Sequence, residues 1–116
     1  MIVILPVFAV TAACVFGGFV MFDRVLRLEH ERHHDTWIRD GKPSGFFWIP
    51  SDGSFFSKYL SGARDSLLWS WLFSRPRWAV EEPEAQEDLR CMRRLVFTSW
   101  IGWALIALIL TLGSAT

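Results

Sequence analysis

The sequence predicts an all-α membrane protein: two transmembrane helices joined by a cytoplasmic loop that contains helical extensions and an amphipathic interfacial helix. Three observations predict it. Residues Ile2–Phe22 form a run of 21 without a charge, and Leu95–Leu112 form a run of 18 without one. A bilayer core of roughly 30 Å takes ~20 helical residues, so each run is long enough to cross it. All 12 Lys and Arg lie between the two runs.

Residues 1–22 are read as the first transmembrane helix. The run lacks a basic start and is long for a signal core, so it reads as a retained anchor rather than a cleaved leader. Thr11-Ala12-Ala13-Cys14 has a faint likeness to a lipoprotein cleavage site, but eight further uncharged residues follow Cys14. Ala9, Ala13 and Gly17 recur at intervals of four, and Thr98 and Gly102 do so on the second run. Small residues at that spacing let membrane helices approach closely, which predicts antiparallel packing of the two spans on these faces.

Residues 23–40 continue the first helix into the cytoplasm, with Arg27–Glu31 and Asp35–Arg39 placed as i,i+4 pairs. Gly41 is the expected stop. Residues 41–53 read as a loop by their Gly and Pro content, yet Phe46, Phe47, Trp48 and Ile49 stand together in it and require burial. Residues 54–73 place Phe56, Tyr59, Leu60, Ala63, Leu67 and Trp71 at helical spacing, an amphipathic helix of interfacial composition. Residues 74–82 are a linker broken by Pro76. Pro83, with acids around it, starts a helix that runs through residues 83–113 and contains the second span, 95–112.

Nine arginines and Lys42 flank both spans on their inner sides: Arg24, Arg27, Arg32, Arg39 and Lys42 after the first, Arg75, Arg77, Arg90, Arg93 and Arg94 before the second. Such a bias places the loop in the cytoplasm and both termini outside. A formal net charge of zero gives no case for nucleic acid as a partner. The intervening 72 residues are too few for a large independent core, so the bilayer surface or another integral-membrane subunit is expected to support them. Assembly with copies of the same chain is a further expectation. Cys14 and Cys91 differ in depth by roughly 18 Å along their helices, too far to pair.

One constellation has the spacing of a metal site. His30-Glu31-Arg32-His33-His34 matches the H-E-x-x-H pattern, with two imidazoles on one helical face and Glu31 placed as base. His30, His33 and His34 are therefore the candidate metal ligands. The match lies inside seven consecutive polar residues, Glu29–Asp35, and no further His exists to complete a site. It is read as a solvated or partner-facing helix, with no cofactor and no catalytic residue expected. Glycine-rich phosphate loops, CxxC and G-x-S-x-G are absent, and neither span carries a charge.

Asp40-Gly41 with Gly45-Phe46-Phe47, the tryptophan-containing helix before Arg75, and Arg90-Cys91-Met92-Arg93-Arg94 leading to Thr98-Ser99 resemble the universal stress protein B family. Those are small bacterial inner-membrane proteins with one span at each end and a charged loop between. The resemblance implies a role in stress or stationary-phase physiology and carries no catalytic residues. The His30–His34 cluster and the Trp78–Pro83 segment depart from it. The expected function is a non-enzymatic accessory or assembly subunit of a larger membrane complex, with Phe46, Phe47, Trp48, Trp69, Trp71, Trp78 and Trp103 as partner-facing surface. A stand-alone stress protein, and a metal- or haem-binding protein using the three histidines, are the alternatives.

Overall fold

A computed structural model describes residues 2–50 and 62–115. They form α1 (Ile4–Arg32), α2 (His34–Arg39), α3 (Gly62–Phe73), a 3₁₀ turn (Arg77–Glu81) and α4 (Pro83–Ala115), and no strand occurs among the described residues. Within the most apolar windows of α1 and α4 only 11% and 17% of residues are buried. That is too little cover for the core helices of a water-soluble domain. It fits helices surrounded by lipid, where backbone groups are satisfied within the helix and side chains need no protein cover.

α1 and α4 form an antiparallel hairpin. Thr11 meets Gly102, Gly17 meets Leu95 and Gly18 meets Val96, while Arg24 pairs with Asp88 and Arg32 with Glu82 nearer the loop. One stripe of buried positions runs through Thr11, Gly18, Phe22, Val25 and Glu29 on α1, and through Ala85, Leu89, Met92, Ser99, Gly102 and Ile106 on α4, with Asp23, Leu26, Leu28 and Asp88 buried beside it. Steps of three, four or seven are those of a coiled-coil seam. A Cβ on Gly102 would run into the Thr11 hydroxyl and lie 3.0 Å from its Cβ, so glycine sets the closest approach of the spans.

This seam corrects the small-residue ladder expected from the sequence. Gly17 and Gly102 lie at the interface, but Ala9, Ala13 and Thr98 face outward. A ladder in steps of four drifts about 40° per step round a helix, whereas alternating threes and fours hold one face. The large buried residues Phe22, Val25 and Leu26 set the rotation of α1, and following their phase into the span turns Gly18 and Thr11 inward.

The continuous helix expected over 23–40 is broken. The His33 amide still donates to the Glu29 carbonyl at 2.8 Å, but His33 itself takes φ −134° and ψ 53°. Its ring sits 3.2 Å from a Glu82 carboxylate oxygen and 4.9 Å, centroid to centroid, from the Trp78 ring. The break lets α2 turn back so that Trp37 is wholly buried and donates its indole N–H to the Pro43 carbonyl at 3.0 Å. Gly41 ends α2 as expected, at φ 95°. The Gly41 amide donates to Ile38 and the Lys42 amide to Trp37, both at 3.1 Å, the paired bonds of a Schellman stop.

Residues 51–53 of the expected loop and 54–61 of the helix expected over 54–73 lie outside the described ones, and Gly62–Phe73 is α3. Arg93 fastens its end: Nε donates to the Trp71 carbonyl and Nη2 to the Ser74 carbonyl, both at 2.9 Å. A guanidinium there satisfies C-terminal carbonyls that have no helical partner. Within the 74–82 linker lies the 3₁₀ turn, stitched to α4 by the Gln86 amide, which donates to the Ala79 and Val80 carbonyls. Pro83 starts α4 as expected.

The loop finds its support in the hairpin itself. Phe22, Leu26, Trp37, Trp71, Trp78, Leu89 and Met92 form one core where α1 and α4 extend past the spans. Each such side chain contributes roughly 1.5–3 kcal/mol on burial, which is how a short loop acquires a fixed shape.

Candidate functional site

Three histidines expected on one stripe are divided by the break at His33. His30 and His34 stay together, ring centroids 4.9 Å apart, in an aromatic box with Trp37 at 4.5 Å and Trp48 at 5.2 Å from His30. His34 Nδ1 bonds the His30 carbonyl at 3.0 Å. His33 instead joins Arg32 on Glu82, the Arg32 bond being 2.7 Å. The two histidines of the H-E-x-x-H pattern thus stay adjacent while His33 leaves them, and among the described residues no three His, Cys, Asp or Glu side chains group to hold a metal ion. Cys14 and Cys91 are both free thiols.

The polar groups that organise the head are buried carboxylates. Asp23, 6% exposed, accepts the amides of Phe46 at 2.8 Å, Phe47 at 2.7 Å and Trp48 at 3.0 Å. Three amides on one carboxylate pull the aromatic loop down beside the first span. Phe46 then stacks on Phe19 at 3.8 Å, and Phe47 lies 4.9 Å from Phe16. Gly45 is required because a Cβ there would strike the Asp23 carboxylate.

Glu29 is wholly enclosed. Its Oε2 accepts the Trp78 indole N–H at 2.8 Å, and its Oε1 receives no donor among the described residues. Burial first, and the neighbouring Asp40 carboxyl second, push its pKa up to about 9, against the pull of Trp78. It is a neutral acid at pH 7, with a proton to share with Asp40. Asp88 is also buried, 3.3 Å from Arg24 Nε; burial raises its pKa and Arg24 opposes that.

Of the aromatics expected to face a partner, Trp71 and Trp78 are 2% and 8% exposed, so both belong to the chain's own core. Phe46 and Trp48 are half-buried against the same core. Phe47, Trp69 and Trp103 remain exposed, and Phe73 and Trp100 join them. Trp69 stacks near Phe73 at 6.1 Å and Trp100 at 5.9 Å, Phe97 lies 5.1 Å from Trp100, and Trp103 meets Phe8 edge-on at 5.9 Å. Between α1, α3 and α4 they border an open cleft of about 380 Å³ walled by Phe19, Phe46, Trp69, Trp100 and Trp103. Phe19 and Trp100 stand within the apolar runs, so the cleft lies at bilayer depth on the loop side.

Asp23, Glu29, Asp88 and Trp37 are missing from the sequence-based site list. Only Glu29 carried a signal: it falls in phase with Phe22, Val25 and Leu26 on an apolar stripe, where an acid is out of place. Asp23 reads as an ordinary boundary charge, and Asp88 as one of several acids around Pro83. Compared with known protein families, with curated proteins and with solved structures, the chain finds no match in any of the three.

Proposed function

We propose that this chain is a non-enzymatic accessory or assembly subunit of a larger bacterial inner-membrane complex, crossing twice with its loop in the cytoplasm and both termini periplasmic. The carrying observation is the aromatic cleft. After the chain has packed its own head, Trp69, Phe73, Trp100 and Trp103 stay exposed on one flank of the hairpin, beside a groove that both spans and α3 share. Aromatic surface grouped round a groove is the composition of an interface anchor. The polar side chains support the same reading, because Asp23, Arg32, His33 and Arg93 are engaged in holding loop to helix. The flanking arginines favour the loop-inside orientation.

The test is extraction from the native membrane in mild detergent, native-gel sizing and mass spectrometry of what co-migrates, for the wild type and for Trp69→Ala/Trp100→Ala. Migration with a defined set of larger subunits, lost in the double variant while its own melting transition is kept, supports the proposal. Migration as a lone chain or small homo-oligomer overturns it, and favours the stand-alone stress protein that the resemblance implies.

A further inference from the structure

We infer that the loop-side head carries a phosphate-binding groove, built from Arg39 and Arg77 at the height where the spans end. The groove, about 370 Å³, lies between the end of α2, the outer face of α3 and the Pro76–Trp78 turn. Arg39 and Arg77 stand on its walls with the Thr36 and Ser70 hydroxyls, and Trp71 and Trp78 close it from within.

Among the described residues neither guanidinium has a carboxylate within ion-pair distance. Arg39 donates to the Thr36 hydroxyl at 3.3 Å, which orients it. The acid on the wall is Asp40, whose carboxyl is turned to Glu29. Two cations against one acid leave the groove net positive. Two guanidiniums and two hydroxyls lining one groove offer the donors that the oxygens of a phosphate ester accept.

Height is set by three contacts. The Trp71 ring lies 5.1 Å from Phe22, the last residue of the first apolar run, and Arg93, two residues before the second run, holds the Trp71 carbonyl. The groove's Trp78 end bonds Glu29, seven residues or ~10 Å along α1 beyond Phe22, so the groove reaches from the end of the spans outward through headgroup depth on the arginine-rich side, where anionic phospholipids present phosphate. The shared chemistry is a phosphate group, from a phospholipid or free in solution. This site is separate from the aromatic cleft and does not depend on the accessory-subunit reading.

The experiment uses the full chain in mixed micelles of phosphatidylcholine and phosphatidylglycerol, with the lipids retained counted by native mass spectrometry. A second arm adds inorganic phosphate alone to the detergent-solubilised protein. Phosphatidylglycerol is expected to be retained over phosphatidylcholine, with the preference falling about fivefold for each guanidinium removed in Arg39→Gln and Arg77→Gln. Arg39→Lys/Arg77→Lys should keep part of it, and Arg90→Gln should keep all of it. Phosphate that competes the lipid off, with the same dependence on both arginines, assigns the groove to phosphate from either source. Failure of phosphate to compete assigns it to the lipid. Equal retention of the two lipids together with no phosphate binding overturns the inference, as does a preference that Arg90→Gln lowers as much as Arg39→Gln/Arg77→Gln.

Discussion

Replacing Glu29 by Gln should stabilise this protein at neutral pH. The side chain is wholly buried, bonded to the Trp78 indole through Oε2 and left without a donor at Oε1. An unfolded glutamate titrates near 4.5, and burial with Asp40 beside it raises the folded value to about 9. Between those values the folded chain holds one proton that the unfolded chain has lost, so stability falls as pH rises and levels off above about 9. Two and a half pH units from 4.5 to 7, at about 1.4 kcal/mol each, make Glu29 a liability of roughly 3 kcal/mol at pH 7. Glutamine keeps the shape of the neutral acid. Its carbonyl accepts from Trp78, its amide donates toward Asp40, and it needs no proton. The Gln variant should match the wild type near pH 4.5, exceed it by up to about 3 kcal/mol at pH 7, and lose most of the slope between pH 5 and 9. Asp88, raised in the same direction by burial, leaves both proteins a smaller common slope. Thermal unfolding in mild detergent, followed by tryptophan fluorescence at pH 5, 7 and 9, measures all three quantities. Equal slopes in wild type and variant, or a variant less stable at pH 7, would refute the neutral-acid account of Glu29.

Other consequences follow from the same geometry. Asp23→Ala leaves the Phe46, Phe47 and Trp48 amides without their acceptor; at about 1 kcal/mol or more each this costs roughly 3 kcal/mol and frees the loop, read as faster amide exchange over 45–48. Gly102→Val drives a side chain into Thr11 and should destabilise the hairpin by about 1–3 kcal/mol, whereas Ala13→Val, on the outer surface, should leave its melting temperature unchanged. Equal losses in the two variants would return the packing face to the Ala9–Ala13–Gly17 ladder. Glu82 titrates with the opposite sign to Glu29: the bond from Arg32, then that from His33, holds its carboxyl below the usual range. Its contribution is present above the unfolded value and lost as pH falls through the folded one, so acidification below about 4.5 should loosen α1 from the start of α4, a limb absent in Glu82→Gln.

The spans, the Gly41 stop and the Pro83 start were legible because each rests on local chemistry: an uncharged run, a positive-φ glycine, a proline at a first helical position. The rotation of the spans was not. Ala9, Ala13 and Gly17 form a tidy ladder, but which face turns inward is decided by Phe22, Val25 and Leu26 at the far end of the same rigid helix. The break at His33 was hidden for a related reason. Nothing in Glu29–Asp35 forbids a helix; the chain turns there because Trp78 and Glu82, 45 and 49 residues away in sequence, hold the His33 ring. The histidine pattern thus looked continuous until a distant contact divided it. Of the loop's apolar run, expected to need cover, Phe46 and Trp48 find it in part while Phe47 and Ile49 stay exposed, and the sequence could not say that Trp71 and Trp78 lie inside the chain while Trp69 and Trp103 do not.

That division of the tryptophans separates what this chain does for itself from what it offers outward. Carboxylates face the loop: buried Asp23 gathers the Phe46–Trp48 amides, buried Glu29 holds Trp78, and half-buried Glu82 takes Arg32 and His33. Each is matched by donors on another element, so together they fix the head on the hairpin and leave little of their own charge for solvent. What remains open is of two kinds at two heights. Level with the loop-side ends of the apolar runs it is mostly aromatic, with Asp65, paired to Arg64, its one charged lining residue among the described ones, a surface suited to another membrane helix. At the level where the spans end it is cationic, Arg39 and Arg77 without carboxylate partners among the described residues, a surface suited to phosphate. A helix that docks in the cleft would therefore meet a head already held against the membrane surface, and substitutions at the two heights should separate: tryptophan changes act on the company the protein keeps, arginine changes on the lipid it retains.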